Sequence, residues 1–209
     1  LFLKTDGAGN LSFSSDLPTT SFTGATAETS IADSDLVLIY DDSATAVRKM
    51  TKANLMAGVG GDNTPAFYAD LSSSQSVTTN TFTKVQFNNE IVDSNSNYDN
   101  STNYRFTPTT SGKYYFFTRV EGATSTTNGL QEILIQVRKN GSAIIYSAWS
   151  AYPDRILHNF GDSVSGVVSM NGSTDYLEVF VYLDADGSPV FKGSSTSPTY
   201  FGAYKLIGV

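Results

Sequence analysis

One histidine, two acidic loops and a handful of loop aromatics are the residues of this chain that could do chemistry. His158 is the sole histidine, so a Ser-His-Asp triad would have to use it. No G-x-S-x-G elbow surrounds any serine, and Ser165 sits in Val-Ser-Gly. His158 therefore reads as a surface residue, and no catalytic residue is expected. Glycoside hydrolysis needs two carboxyl groups about 5–9.5 Å apart in a cleft. Glu90 with Asp93, or Asp184 with Asp186, could be forced into that role, yet nothing separates them from ordinary acidic loop residues. Asp184-Ala185-Asp186-Gly187 has the start of a calcium loop without the third oxygen ligand or the later Glu of an EF-hand. Asp93-Ser94-Asn95-Ser96-Asn97 is also oxygen-rich, with Tyr98 where that loop needs Gly. A third set is Trp149, Tyr152, Arg155, His158 and Lys192, in or beside two long loops. Trp and Tyr faces can stack on sugar rings, and Arg, Asn and Asp supply directional hydrogen bonds. The competing reading is that Trp149 and Tyr152 close the end of the core.

At 209 residues the chain can build one good core plus an appendage. It has no cysteine, which excludes disulfides and thiolate metal sites. Its net charge of -7 makes a poor nucleic-acid binder, because phosphate binding needs clustered Lys and Arg. No apolar run approaches the ~20 residues of a membrane helix, and the longest near the start is Leu36 to Tyr40. No signal peptide is visible and the chain does not begin with Met, as expected of a piece of a longer protein.

The elements that must carry these residues are β-strands. Residues 1–24 read as an outlying hairpin: Leu1 to Thr5 and Leu11 to Phe13 alternate in polarity around a glycine-rich turn. Residues 25–62 read as a second small hairpin, a short helix capped by Thr51 and ending at Gly58, and a Gly-rich joint. Such short pieces need partners, and a neighbouring copy of the chain is the candidate. Residues 63–209 form the main domain. There Ile133, Ile135 and Val137, and Leu177, Val179, Val181 and Leu183, recur with period two. Expected connections alternate in length. The short ones are 107–112, Asn140-Gly141 and Asn171-Gly172-Ser173; Asn-Gly signals tight hairpins. The long ones are 88–102, 121–129, 150–161 and 184–199, which places all four at one end, opposite the C-terminus. That end is the expected outward-facing tip.

Phe82 to Val120 holds a strand, a polar loop, Arg105-Phe106-Thr107-Pro108 and Ser111-Gly112-Lys113-Tyr114-Tyr115-Phe116-Phe117. Lys139-Asn140-Gly141, Ser165-Gly166-Val167-Val168 followed by Asp175 to Val179, and Tyr200-Phe201-Gly202 to Leu206 come after it, with Pro65-Ala66-Phe67 before it. In that order the segments resemble the C1q-like head domain, over roughly residues 64–209. No collagen Gly-X-Y repeat precedes them, and the family's usual cysteine is missing. The resemblance implies an all-β, jelly-roll β-sandwich head of the C1q/TNF type, a homotrimer and a binding module. It also raises calcium at Asp184 and Asp186; no other cofactor is expected. Tyr176, Phe180 and Tyr182 form the second face of their strand. That face needs a cover, either another loop of the same chain or, as favoured here, a neighbouring subunit. These three are the candidate trimer-interface residues.

Leu3 to Gly58 resembles stretches that precede the tips of phage tail fibres. Together the two resemblances imply a non-enzymatic virion protein: a trimeric tail fibre or similar appendage, attached to other virion proteins at its N-terminal end. Its tip loops would meet a host glycan or protein through Trp149, Tyr152, Arg155, His158, Asp184, Asp186 and Lys192. No nucleic acid or membrane insertion is expected. The alternatives are a capsid- or neck-bound decoration protein and, behind it, a polysaccharide-degrading tip.

Overall fold

The structure is a computed structural model that describes residues 2–5, 7–9, 11–14, 30–56, 63–151, 157–194 and 199–208. The chain divides into two compact units, Leu1–Val59 and Gly60–Val209. No described helix is long and apolar enough to cross a membrane.

Among the described residues the first unit contains two hairpins. Strand β1 (Phe2–Thr5) pairs antiparallel with β2 (Leu11–Ser14). Strand β3 (Leu36–Asp41) pairs antiparallel with β4 (Ala46–Thr51), with Leu36 opposite Thr51. Asp41 shapes the intervening turn by accepting the Ser43 hydroxyl at 2.6 Å and the Ala44 amide at 3.1 Å. Those bonds hold its carboxyl below the usual carboxylate range. Helix α1 (Lys52–Met56) follows, and Thr51 Oγ1 accepts the Asn54 amide at 3.2 Å as an N-cap. The expected stop at Gly58 lies outside the described residues.

The second unit is an antiparallel jelly-roll sandwich. One sheet runs β8 (Asn89–Asp93), β5 (Ala66–Asp70), β17 (Tyr200–Lys205), β11 (Gly112–Ala123) and β14 (Asn159–Met170). Strand β16 (Val190–Phe191) continues the β17 side of β11 and carries β6 (Gln75–Ser76). The other sheet runs β13 (Ser142–Ser150), β12 (Leu130–Lys139), β15 (Leu177–Ala185), β10 (Arg105–Phe106) and β9 (Tyr98–Asp99), with β7 (Thr83–Lys84) also on β15.

Alternation decides which side chains face inward. Tyr114, Phe116, Thr118 and Val120 of β11 are buried, as are Ile133, Ile135 and Val137 of β12 and Leu177, Val179, Val181 and Leu183 of β15. At one end the core is aromatic. Phe67 stacks on Phe106 at 4.5 Å and Tyr98 at 4.6 Å, and meets Phe201 edge-on at 4.9 Å.

Two expectations from the sequence are corrected. Asn140-Gly141 does join β12 to its neighbour β13 as a tight hairpin, with positive φ at both residues. Asn171-Gly172-Ser173 does not, because β14 and β15 lie in different sheets. There Asn171 Oδ1 accepts the amides of Ser173, Thr174 and Asp175, which turns the chain across the sandwich. Gly172 has φ +74, and a Cβ would lie 2.3 Å from the Ser111 amide nitrogen. The second correction concerns residues 88–102. They contain β8, whose residues Asn89 and Asp93 lie opposite Asp70 and Phe67. The segment therefore crosses from one end of the sandwich to the other. An extra strand reverses the end at which a connection emerges.

Phe201 is fully buried against Phe67 and Phe87. Phe201→Ala removes a ring and leaves a cavity, at an expected cost of about 3–5 kcal/mol. Urea unfolding at fixed protein concentration measures it; a loss below ~1 kcal/mol would contradict this packing.

Candidate functional site

The outer face of the β11 sheet is a field of rings. Alternation turns Tyr115, Phe117 and Arg119 of β11 outward, and register lines them up with neighbours. Phe117 lies opposite Gly202, which lies opposite Tyr68, which lies opposite Val92. Tyr115 lies opposite Val167 on one side and Tyr204 on the other. Arg119 lies opposite Tyr200. Phe117 stacks on Tyr115 at 6.1 Å and on Tyr68 at 6.2 Å; Tyr115 meets Tyr204 at 5.5 Å, and Tyr68 meets Tyr200 at 5.7 Å. Gly202 permits this, because a Cβ there would sit 2.5 Å from Phe117 Cζ. Burial among these neighbours, then the charge of Asp70, pushes the Tyr68 hydroxyl pKa up. At the rim Val92 is 49% exposed and Val167 57%. A hollow of about 220 Å³ is lined by Tyr115, Phe117, Thr118, Ser163, Ser165 and Tyr200, among others.

Charge collects at one margin of this face. Glu121 accepts Arg119 at 3.4 Å, Lys192 at 3.3 Å and the Asn159 amide at 3.0 Å. Burial raises the Glu121 pKa, but the bonds from Asn159 and Lys192 and the two cationic charges outweigh it, so the carboxyl lies below its ordinary value.

Three of the four long connections named from the sequence do meet at this end. The Thr124 hydroxyl donates to the Asp186 carbonyl, the Thr124 amide reaches the His158 carbonyl at 3.1 Å, and Ser125 Oγ accepts the Ser188 amide at 3.0 Å. The fourth place is taken by residues 71–82, where Val77 donates to Pro189 O and Asn80 to Leu183 O. Pro65 and Lys205 are hydrogen-bonded to one another at the opposite end.

Of the candidate contact residues, Tyr152 and Arg155 lie outside the described residues. His158 is exposed, Asp186 is exposed in the turn after β15, and Asp184 lies on β15 opposite Glu132. Lys192 is paired with Glu121, the first residue of the 121–129 connection. Trp149 packs on the core with one face stacked on Phe160 at 4.3 Å, which leaves less ring for a sugar. Among the described residues no group of three or more His, Asp or Glu side chains gathers to hold a cation, so Asp184 and Asp186 gain no third ligand of that kind. Asp93 holds the Asn95 and Tyr98 amides, a structural role.

Tyr176, Phe180 and Tyr182 occupy the outer face of the other sheet, where the chain supplies partners of its own. Arg138 lies 3.9 Å over the Phe180 ring, with Lys84 at 5.5 Å. Arg105 lies 4.4 Å over Tyr176. The Tyr182 hydroxyl donates to Asn80 at 2.7 Å, and its ring meets Phe82 at 5.5 Å. Lys84 is also paired with the buried Glu178 at 2.5 Å. The sequence reading missed Tyr68, Tyr115, Phe117, Tyr200 and Tyr204. The available signal was the outward half of the Tyr114 to Phe117 run and of the closing strand.

The family signature described as the C1q domain matches residues 66–204. No curated protein sequence matches the chain. Among solved structures the chain is similar to Eiger TNF from S. frugiperda, with 12% identity, over 68% of this chain and 90% of that one, at a TM-score of 0.49.

Because its folded pKa is depressed, Glu121 contributes stability above its ordinary value of ~4.3, and loses it as pH falls through the lower folded value. Urea midpoints measured between pH 6 and pH 3 should fall more steeply for the native chain than for Glu121→Gln. Parallel profiles would contradict the pairing.

Proposed function

The chain belongs to the C1q domain family, and from that membership we propose that it is the trimeric, host-binding end of a virion appendage such as a phage tail fibre. C1q-type domains are generally non-enzymatic binding modules and typically form homotrimers. The observation that carries the reading is the ring field on the β11 sheet. Its aromatic residues stack on one another, whereas Arg138 and Arg105 lie over the rings of the opposite sheet. Interface cores are enriched in Tyr and Phe and depleted of charge. The assembly face is accordingly assigned to Tyr68, Tyr115, Phe117, Tyr200 and Tyr204, ahead of Tyr176, Phe180 and Tyr182.

The virion setting is supported by the likeness of residues 3–58 to segments that precede tail-fibre tips, and by the polar, weakly charged surface. Clustered loops at one end of a rigid sandwich are the natural place for recognition. The host surface is then met by the loops around His158 and Asp186, with Tyr152 and Arg155 of the 150–161 connection as further candidates. A capsid or neck decoration would use the same assembly face without adsorption through these loops.

Two experiments test this. Phe117→Asp places an unpaired carboxylate in the proposed interface, a cost of several kcal/mol. Sedimentation should show three chains per particle falling to one, whereas Phe180→Asp should stay largely trimeric; the reverse pattern would overturn the assignment. For the tip, excising 184–198 would remove β16 and the fully buried Phe191. Point changes are therefore the cleaner probe. His158→Ala with Tyr152→Ala and Arg155→Ala should lower adsorption to host cells at least tenfold in a particle that still sediments as a trimer. Undiminished adsorption would point to the decoration role.

A further inference from the structure

The β3–β4 hairpin carries an apolar face with nothing described lying against it. Register puts Leu36 with Thr51, Leu38 with Lys49 and Tyr40 with Val47 on one side. The exposures are 57% for Leu36, 62% for Leu38, 61% for Tyr40 and 66% for Val47. The other side holds Val37, Ile39 and Met50, all half-buried. Two ion pairs flank the apolar group. Arg48 pairs with Asp41 at 3.3 Å and Lys52 with Asp33 at 3.2 Å. The amides of Lys52 and Ala53 tie α1 back to the carbonyls of Asp35 and Asp33. A two-stranded hairpin with one open apolar face is at best marginally stable in water.

We propose that this face is a contact between copies of the chain, and that three hairpins close on one another through Leu36, Leu38, Tyr40 and Val47. The inference rests on the trimeric reading of the head and adds a second, separate interface to it. Three arguments favour a second and third copy over any other occupant. Six residues separate Met56 from Asn63, so each hairpin stays within about 25 Å of its own head entry. Three heads in one particle thus hold three hairpins at an effective concentration on the order of millimolar. The four side chains offer roughly 400 Å² per copy, about 1,200 Å² over three copies, above the ~1,000 Å² that a specific interface needs. The patch holds one charged residue, Lys49, opposite Leu38; its long apolar stem can join the contact while the ammonium stays in water, so like faces can meet without burying that charge.

The chain has no cysteine, so a single introduced thiol reports on this face alone. In the full-length chain, Leu38→Cys should form interchain disulfides under mild oxidation at least tenfold faster than Arg48→Cys, which lies opposite Ile39 on the other side of the hairpin. The particle size is measured in parallel. Three chains per particle with fast Leu38→Cys linkage supports the proposal. Three chains per particle with equal rates at both positions overturns it and leaves the head trimer standing. One chain per particle overturns both. Leu38→Ser and Tyr40→Ser provide the complementary readout: amide hydrogen exchange in residues 36–51 should rise at least tenfold while exchange in β11 and β12 stays unchanged. Unaltered exchange in 36–51 would also overturn it.

Discussion

Rings on the outer face of a β-sheet must be covered, and a two-layer sandwich has two such faces to satisfy. This chain solves them differently. On the β15 side, cations from adjacent strands lie across Phe180 and Tyr176, and Glu178 neutralises Lys84 from a buried position. Water then meets charged groups. On the β11 side, Tyr115, Phe117, Tyr68, Tyr200 and Tyr204 stack on one another. Self-stacking leaves these rings half-buried, with Val92 and Val167 exposed at the rim. The asymmetry between faces is what supports the proposed assembly face. The position of Gly202 sharpens it, because only a missing Cβ lets Phe117 lie flat across the neighbouring strand.

The same constraint acts at smaller scale in the N-terminal unit. A hairpin has two faces and no second layer, so its stability depends on what lies against it. The turn at Asp41 and the cap at Thr51 fix local conformation, but neither removes Leu38 or Val47 from water. The two units thus pose one problem, unsatisfied apolar faces, and the proposed contacts between copies of the chain would answer it in both. At the loop end, backbone bonds such as Thr124 to His158 and side-chain bonds from Thr124 and Ser125 hold the connections together.

Much of this was legible in the sequence. The inward faces of β12 and β15 follow from strict alternation, and the Asn140-Gly141 hairpin from the positive φ that both residues accept. The cap at Thr51 and the convergence of the 121–129, 150–161 and 184–199 connections were also readable. The proposed assembly face was harder to read. Tyr114 to Phe117 is a run of four aromatics, so period two reveals two faces without saying which is covered. Its partners come from strands near residues 68 and 202, and only the pairing order brings them together. Tyr176, Phe180 and Tyr182 stood out because they alternate with aliphatics. Their cover comes from Arg105, Arg138 and Lys84 on other strands, which spacing cannot show. Asn89 to Asp93 was hidden in the same way: five residues flanked by polar sequence look like loop until β5 offers an edge. Asn171-Gly172 is ambiguous by nature, since a glycine at positive φ serves a hairpin and a crossing between sheets equally well.

The central claim is that the β11 sheet face is buried between copies of the chain. Sedimentation equilibrium of the unmodified full-length chain at micromolar concentration tests it most directly. The account predicts a single species of three chains; a homogeneous single-chain species, with the ring field left open to water, would contradict it.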